Sequence, residues 1–210
     1  MRLEGTTIAI LASNEFEDIE LEFPLLRLSE EGADILLVPY QAGHHPRPSL
    51  EVTGTKPVTG RYGTPIPPDV MAEGNRYTVV PFDDLAVEDF DALLLPGGFS
   101  PDHLRTESAV VEFVRETYDA GTVVAAICHG PQVLIEADLV DGKRVTSYAA
   151  VKTDLENAGA TYEDVPAIID GHLVTGRVPD DLPEFCAAVT EALTSPEPSV
   201  ETTVTGPAVE

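Results

Sequence analysis

The sequence predicts a three-layer, flavodoxin-like α/β sandwich with a mainly parallel sheet and a nucleophile elbow, and three observations predict it. Four apolar runs, TTIAILAS, ADILLVPY, DALLLPGG and TVVAAIC, are near-continuous rather than alternating, as strands covered on both faces must be. Helical patterns separate several of these runs, which points to alternating strands and helices. The fourth run stops at ICHGP, where a buried strand gives way to an amphipathic segment. In open sheets of this kind, sites form at the carboxyl ends of the strands.

The first run, Thr6 to Ser13, leads into a helical pattern from about Glu15 to Glu31. It carries Ile19, Phe23, Leu26 and Leu28 near one side and stops at Gly32, while Pro24 is expected to bend or locally break it. After the second run come residues 41–76, rich in Gly and Pro with little periodicity, which read as a long loop insertion. A helix from Pro101 to Ala120 is marked by Val110, Phe113, Val114 and Tyr118 and ended by Gly121. Another helix follows Cys128, and a further one covers Val151 to Asn157 before Gly159. AIIDGHLVTG reads as a hairpin turned at Asp170-Gly171. A last helix, Asp181 to Leu193, is expected to pack through Leu182, Cys186, Val189 and Leu193. The organisation is one domain, residues 1–194, followed by an acidic tail, 195–210, expected to be disordered.

Composition bounds the function. The chain has 210 residues, enough for one substantial core, and 37 acidic against 12 basic residues give a formal net charge of -25. That charge disfavours nucleic acid and anionic membrane as partners. The acids are spread along the chain, as on a halophilic surface where a Debye length of about 3 Å at 1 M salt screens self-repulsion. No apolar run approaches the roughly 18 residues of a membrane span, and the N-terminal run reads as a strand rather than a signal peptide. Two distant cysteines make no disulfide framework, which fits a reducing, cytoplasmic setting. No phosphate-cradling glycine motif or Cys-x-x-Cys pair is present, and His44 and His45 lack a third ligand at useful spacing. No cofactor and no metal is expected.

The chemistry gathers at Cys128. A cysteine on a strand-to-helix turn lies near the amides and positive end of the following helix, which favour thiolate and lower the pKa. Cys186, in an apolar helical stripe, reads as core. Neighbours on a helix do not face each other, so His129 takes the proton of Cys128 only if the elbow turns it back. A histidine capping or packing beside the turn is the equal alternative. Glu17 in SNEFED is the third helical position if Asn14 is the N-cap, which matches capping-box spacing. The other reading is a carboxyl pointing across the sheet crest at Cys128, and spacing alone favours the cap. Gly97 and Gly98 allow close backbone approach. The Gly98 amide is a candidate oxyanion donor beside that of His129. Asp102 looks like a helix-start acid.

Taken together, LASNEFEDIELEFPLLRLSEEG, FDALLLPGGFSPDHLR, VAAICHGPQVLIEADLVDGKRVTSY and NAGATY resemble the ThiJ/PfpI family of the class I glutamine amidotransferase-like superfamily. The likeness is to its PfpI-like intracellular protease and deglycase branch, over about residues 6–40 and 80–194. The resemblance implies Cys128 as nucleophile at a strained elbow, Glu17 as its supporting carboxyl, and the Gly98 and His129 amides as oxyanion hole. In that branch the histidine pairs with an acid from a neighbouring subunit. The matching position is Asp102, where glutamate is usual, which implies a homo-oligomer, a dimer or larger. Tyr148 matches a tyrosine near the family's pocket. Residues 41–76 are longer than in compact members.

The expected function is therefore a cysteine hydrolase acting on carbonyl adducts of small molecules or glycated proteins. Deglycase, glutathione-independent glyoxalase and weak peptidase chemistry all fit. The alternatives are a non-enzymatic, redox-sensing stress-protective protein and a small-molecule hydratase.

Overall fold

The computed structural model describes residues 1–42, 57–69, 71–195 and 202–204. Strand β1 (Thr7–Ala12) passes through helix α1 (Asp18–Glu30) to β2 (Asp34–Pro39), and a two-residue strand, β3 (Thr78–Val79), follows the loop. Then come β4 (Ala92–Leu95), α2 (Ser100–Leu104), α3 (Ser108–Asp119), β5 (Val123–Ile127) and α4 (Pro131–Glu136). A short parallel pair, β6 (Arg144–Val145) and β7 (Thr161–Tyr162), flanks α5 (Lys152–Asn157). The hairpin β8 (Ala167–Asp170) and β9 (Leu173–Gly176), α6 (Leu182–Thr194) and β10 (Thr202–Val204) complete the order.

The main sheet has the order β10-β8-β9-β5-β4-β1-β2-β3. Its run from β9 to β3 is parallel throughout, and β8 pairs antiparallel with both β9 and β10. The expected three-layer α/β class with a mainly parallel sheet is what the chain adopts. From β1 the chain moves outward to β2 and β3, then returns to add β4 and β5 on the other side. The order thus reverses between β1 and β4, and in open sheets of this kind sites form beyond the carboxyl ends at such a reversal.

Each strand feeds two cores in alternation. Ile8, Ile10 and Ala12 join Ala125, Ile127 and Cys128 beneath α1 and α6, with Leu21, Leu25, Leu28, Phe185 and Val189. Ala9, Leu11, Val124 and Ala126 face the opposite layer, with Val110, Val114, Val133 and Leu134. Burying both faces is why the strand sequences carry no polar alternation.

Several expectations are corrected. The inward face of α1 is Leu21, Leu25 and Leu28, together with Glu20 and Pro24, whereas Ile19 and Leu26 lie exposed. Pro24 neither breaks nor ends α1; as an imino acid it leaves the Glu20 carbonyl without its helical donor. The single helix from Pro101 is two, α2 and α3. On one straight helix Leu104 and Val110 would stand about 120° apart, and the break lets both be buried. In the hairpin Asp170 pairs with Leu173, so the turn is Gly171-His172, with Gly171 at φ 63°. The Asp170 carboxylate instead accepts hydrogen bonds from the Arg144 amide and Lys143 Nζ. Within the tail expected to be disordered, Thr202–Val204 forms β10; residues 196–201 and 205–210 lie outside the described residues, as do His44 and His45. Among the described residues no helix is long and apolar enough to cross a membrane.

Candidate active site

β5 ends at Ile127 and delivers Cys128 at φ 61°, the left-handed region that costs a non-glycine residue roughly 1–3 kcal/mol. The surroundings hold it there. The Cys128 amide donates to the Gly176 carbonyl at 3.0 Å, the Tyr148 amide donates to the Cys128 carbonyl at 3.0 Å, and the Gly130 amide closes the turn onto the Ile127 carbonyl at 2.7 Å. This backbone turn brings the His129 ring back over its neighbour, so that Nδ1 lies 3.4 Å from Sγ. Sequence adjacency on a helix would have kept the two apart; the elbow is not helical.

The sulfur is nearly enclosed, with Cys128 7 % exposed. The amides of His129 and Gly98 point at it and favour thiolate, yet the thiol is pushed well above its usual range. Burial is the larger cause, followed by the negative charge of Glu20 and its hydrogen bond to the thiol. A pKa lowered by the helix end is thus not what the geometry supports. Helix α4 has only 6 residues, and a buried carboxyl outweighs it.

Glu20, in the first turn of α1, is fully buried and is the residue that sequence reasoning missed. Its Oε2 accepts the Gly97 amide at 2.7 Å, while Oε1 is buried with no hydrogen-bond partner of its own among the described residues. Burial raises its pKa to about 7, against the opposing pull of the Gly97 amide and Cys128. Glu20 and Cys128 therefore titrate as a pair, and the first proton leaves near neutrality. With Glu20 ionised, its charge holds the thiol protonated. With Glu20 protonated, the same group can donate a hydrogen bond to a thiolate that the two amides already favour.

Glu17 sits elsewhere. It is the N-cap of α1 but makes no side-chain cap hydrogen bond, and its carboxylate pairs with Arg61 Nη1 at 2.7 Å. Both roles weighed for it, capping box and carboxyl against the sulfur, are replaced. Helix α1 starts three residues later than Asn14 as cap would require, and the inward turn belongs to Glu20. Asn14 Oδ1 accepts the Thr59 amide, and Asp18 takes the amides of Tyr62 and Thr64 at 2.9 and 2.8 Å. Glu22 accepts from Thr64 Oγ1. Asn14, Glu17, Asp18 and Glu22 thus anchor residues 59–64 of the long insertion, Glu15 faces His103 of α2, and Glu20 turns under the crest to the sulfur.

Gly97 sits between the reacting groups. A Cβ there would stand 2.8 Å from Cys128 Cβ, 2.8 Å from Glu20 Oε2 and 2.9 Å from the His129 nitrogen. Gly97→Ala is expected to lower stability by about 1–3 kcal/mol and turnover by about 100-fold, read from the denaturation midpoint and kcat. Gly98, at φ 71°, forms a bridge with Phe16 that aims its amide at the sulfur.

The remaining candidates line the mouth. Burial holds the His129 imidazole below its ordinary pKa, so it is neutral at pH 7; Asp102 pulls the value upward and Arg61 downward. Asp102 lies on α2 near enough for its charge to act on His129, with no hydrogen bond joining the two. Tyr148, 42 % exposed, places its ring 5.0 Å from that of His129 at 32° and walls the site. The structure thus gathers Cys128, His129, Gly98 and Tyr148, keeps Asp102 within electrostatic reach, and adds Glu20, Gly97 and Arg61. Among the described residues no cluster of three or more His, Cys, Asp or Glu side chains could hold a metal ion.

Residues 6–192 match the DJ-1/PfpI family. The chain is 37% identical over 175 residues to a deglycase of Pyrococcus horikoshii, covering 83% of this chain and 92% of that protein. It is 38% identical over 179 residues to protein/nucleic acid deglycase 2 of Escherichia coli, covering 85% of this chain and 92% of that one. Among solved structures, DJ-1beta of Drosophila melanogaster superposes with a TM-score of 0.73 at 25% identity, covering 90% of both chains.

Proposed function

Because the chain belongs to the DJ-1/PfpI family, we propose that it is a cysteine-dependent hydrolase of carbonyl adducts, acting as a deglycase or glutathione-independent glyoxalase rather than as an efficient peptidase. The observation that carries this reading is the sulfur of Cys128 flanked by two backbone amides, the Nδ1 of a neutral imidazole at 3.4 Å, and a buried carboxyl with a pKa of about 7. The similarity to proteins named deglycases supports it.

In this mechanism the Cys128 thiolate attacks a carbonyl carbon, forming the C–S bond as the carbonyl π pair moves onto oxygen. The Gly98 and His129 amides, aimed at the sulfur, lie beside the oxyanion that one carbon joins to it and hold that charge. Glu20, protonated beneath the sulfur, gives its proton to the adduct and later takes one back. From a glycated amine or thiol that group departs as the C–S bond forms. In either case the proton on the attacked carbon then moves to the neighbouring carbonyl carbon, turning the hemithioacetal into a 2-hydroxyacyl thioester with no outside oxidant. Neutral His129 accepts a proton from the water that attacks this thioester, and cleavage of the C–S bond releases the 2-hydroxy acid and returns the thiolate. Asp102 steadies the imidazolium that forms, and a second copy of the chain supplying its Asp102 would shorten that contact to a hydrogen bond. A near-enclosed sulfur suits a small carbonyl adduct better than an extended peptide. The acidic surface disfavours glycated nucleic acid as a substrate here.

The test is turnover in high salt of methylglyoxal, a methylglyoxal-modified thiol and a chromogenic peptide. Turnover of the first two is expected, rising through about pH 7 as Glu20 and Cys128 lose their first proton, with the peptide far slower. Selective peroxide oxidation of Cys128 by mass spectrometry, with no turnover of any substrate, would overturn the hydrolase in favour of a redox sensor.

A further inference from the structure

Three backbone segments lie side by side over the elbow. The Glu15 amide donates to the Thr59 carbonyl at 2.7 Å, and the Arg61 amide to the Phe16 carbonyl at 2.9 Å, so residues 59–61 pair with 15–17. On the other side Phe16 bridges Gly98, the Phe99 amide donates to the Glu15 carbonyl at 2.8 Å, and the Glu17 amide to the Gly97 carbonyl at 3.3 Å. The result is a small ribbon with 59–61 outermost, 15–17 in the middle and 97–99 innermost. Its inner member carries the Gly98 amide.

One side chain spans the ribbon. Arg61 starts on the outer segment, binds Glu17 on the middle one at 2.7 Å, and brings its guanidinium carbon 5.4 Å from the ring centroid of Phe99 on the inner one. A planar guanidinium can serve a carboxylate and an aromatic face together, whereas an ammonium matches neither geometry as well. Its charge also reaches the buried centre, where it pulls the pKa of both Glu20 and His129 downward.

We propose that Arg61 is a positioning residue: by clamping Glu17 and Phe99 it fixes the 97–99 turn and so holds the Gly98 amide on the reacting oxygen. The inference gives residues 57–64 of the long insertion a task in the chemistry without contact with substrate. It rests on the hydrolase reading for its catalytic consequence, but the clamp is a property of the free protein.

The test compares wild type, Arg61→Gln and Arg61→Lys by three readouts: kcat and KM for methylglyoxal, the pH midpoint of kcat, and hydrogen exchange at the Phe99 and Glu17 amides. Arg61→Gln is expected to lower kcat by about 10- to 100-fold, somewhat less than outright loss of an oxyanion donor, with KM little changed. Exchange at both amides should quicken, and the midpoint should move upward from about 7 as Glu20 loses a neighbouring positive charge. Arg61→Lys should restore the midpoint, because it keeps the charge, but recover only part of kcat. Wild-type kcat in Arg61→Gln, a loss confined to KM, or a lower kcat with unchanged exchange would each overturn the clamp. If wild type turns over none of the substrates, the hydrolase reading fails by itself; exchange at Phe99 then still decides, and an unchanged rate refutes the clamp.

Discussion

Cys128→Ala should bring turnover of methylglyoxal and its thiol adduct down to background, a loss greater than about 10³-fold, while leaving the protein folded. The loss follows because no neighbour can substitute for the sulfur. The other cysteine, Cys186, is buried on α6 with its thiol pushed up to about 12 by burial. Folding should survive because alanine inherits the same backbone cost at φ 61° that cysteine already meets. Removing a buried thiol also relieves Glu20 of a competing proton site. The measurement is kcat beside a thermal melt, with Cys186→Ala as control: full activity, and a modest drop in melting temperature from the small cavity left in the core. Retained turnover in Cys128→Ala would remove the nucleophile from the proposed mechanism.

Glu20→Gln should be almost as damaging to activity and yet should raise stability in mild alkali. Gln can still accept the Gly97 amide and still donate to the sulfur, but it cannot pass a proton. A fall in kcat of about 10²- to 10⁴-fold is expected, the usual worth of a general acid–base group. The stability effect follows from linkage. The carboxyl pKa is raised from 4.5 to about 7 on folding, so between those values the folded protein holds a proton that the unfolded chain has released. Wild-type stability is therefore fully present below about pH 4.5, declines as pH rises through that window, and levels off above about 7, a loss on the order of 3 kcal/mol at most. Gln carries no such penalty. Denaturation at pH 5 and pH 8 should show Glu20→Gln gaining on wild type as pH rises. Alkylation of Cys128 in the variant should lose its step near neutrality. A variant that keeps wild-type kcat, or that gives way in alkali just as wild type does, would show that the buried carboxyl is not the proton carrier.

The contrast between Glu20 and Glu17 shows where the sequence stops being readable. Strands β1, β2, β4 and β5 were visible because two-sided burial leaves an unbroken apolar run, and the elbow was visible because ICHGP interrupts one. Which carboxyl of NEFEDIELE meets the sulfur depends on how far α1 is rotated about its axis. Ile19, Phe23, Leu26 and Leu28 are the stripe expected from the sequence, whereas Leu21, Leu25 and Leu28 form the buried one. Choosing the second would have placed Glu20 inside, since it shares that face, and would have pushed Glu17 to the rim. The resemblance to a known family marked the right segment but assigned the wrong carboxyl within it. Arg61 left no trace of its position: it lies in a stretch without periodicity, and its contacts with Glu17 and Phe99 are with residues about 40 positions away in either direction. Asp102, expected to reach His129 from a neighbouring subunit, acts on it within one chain by charge alone.

The alternation along β5 constrains how this protein can change over time. Val123, Ala125 and Ile127 point to one layer, Val124 and Ala126 to the other, and Cys128 falls on the side of α1 where its carboxyl partner waits. Strict alternation would send Cys128 with Val124 and Ala126; the left-handed elbow at φ 61° sets the sulfur on the Glu20 side instead. Gaining or losing one codon in that strand would exchange the residues of the two cores and uncouple the elbow from the carboxyl it serves. Lineages can lengthen or shorten such a chain only where no such count is kept, and the connection between β2 and β3 is where this one is long.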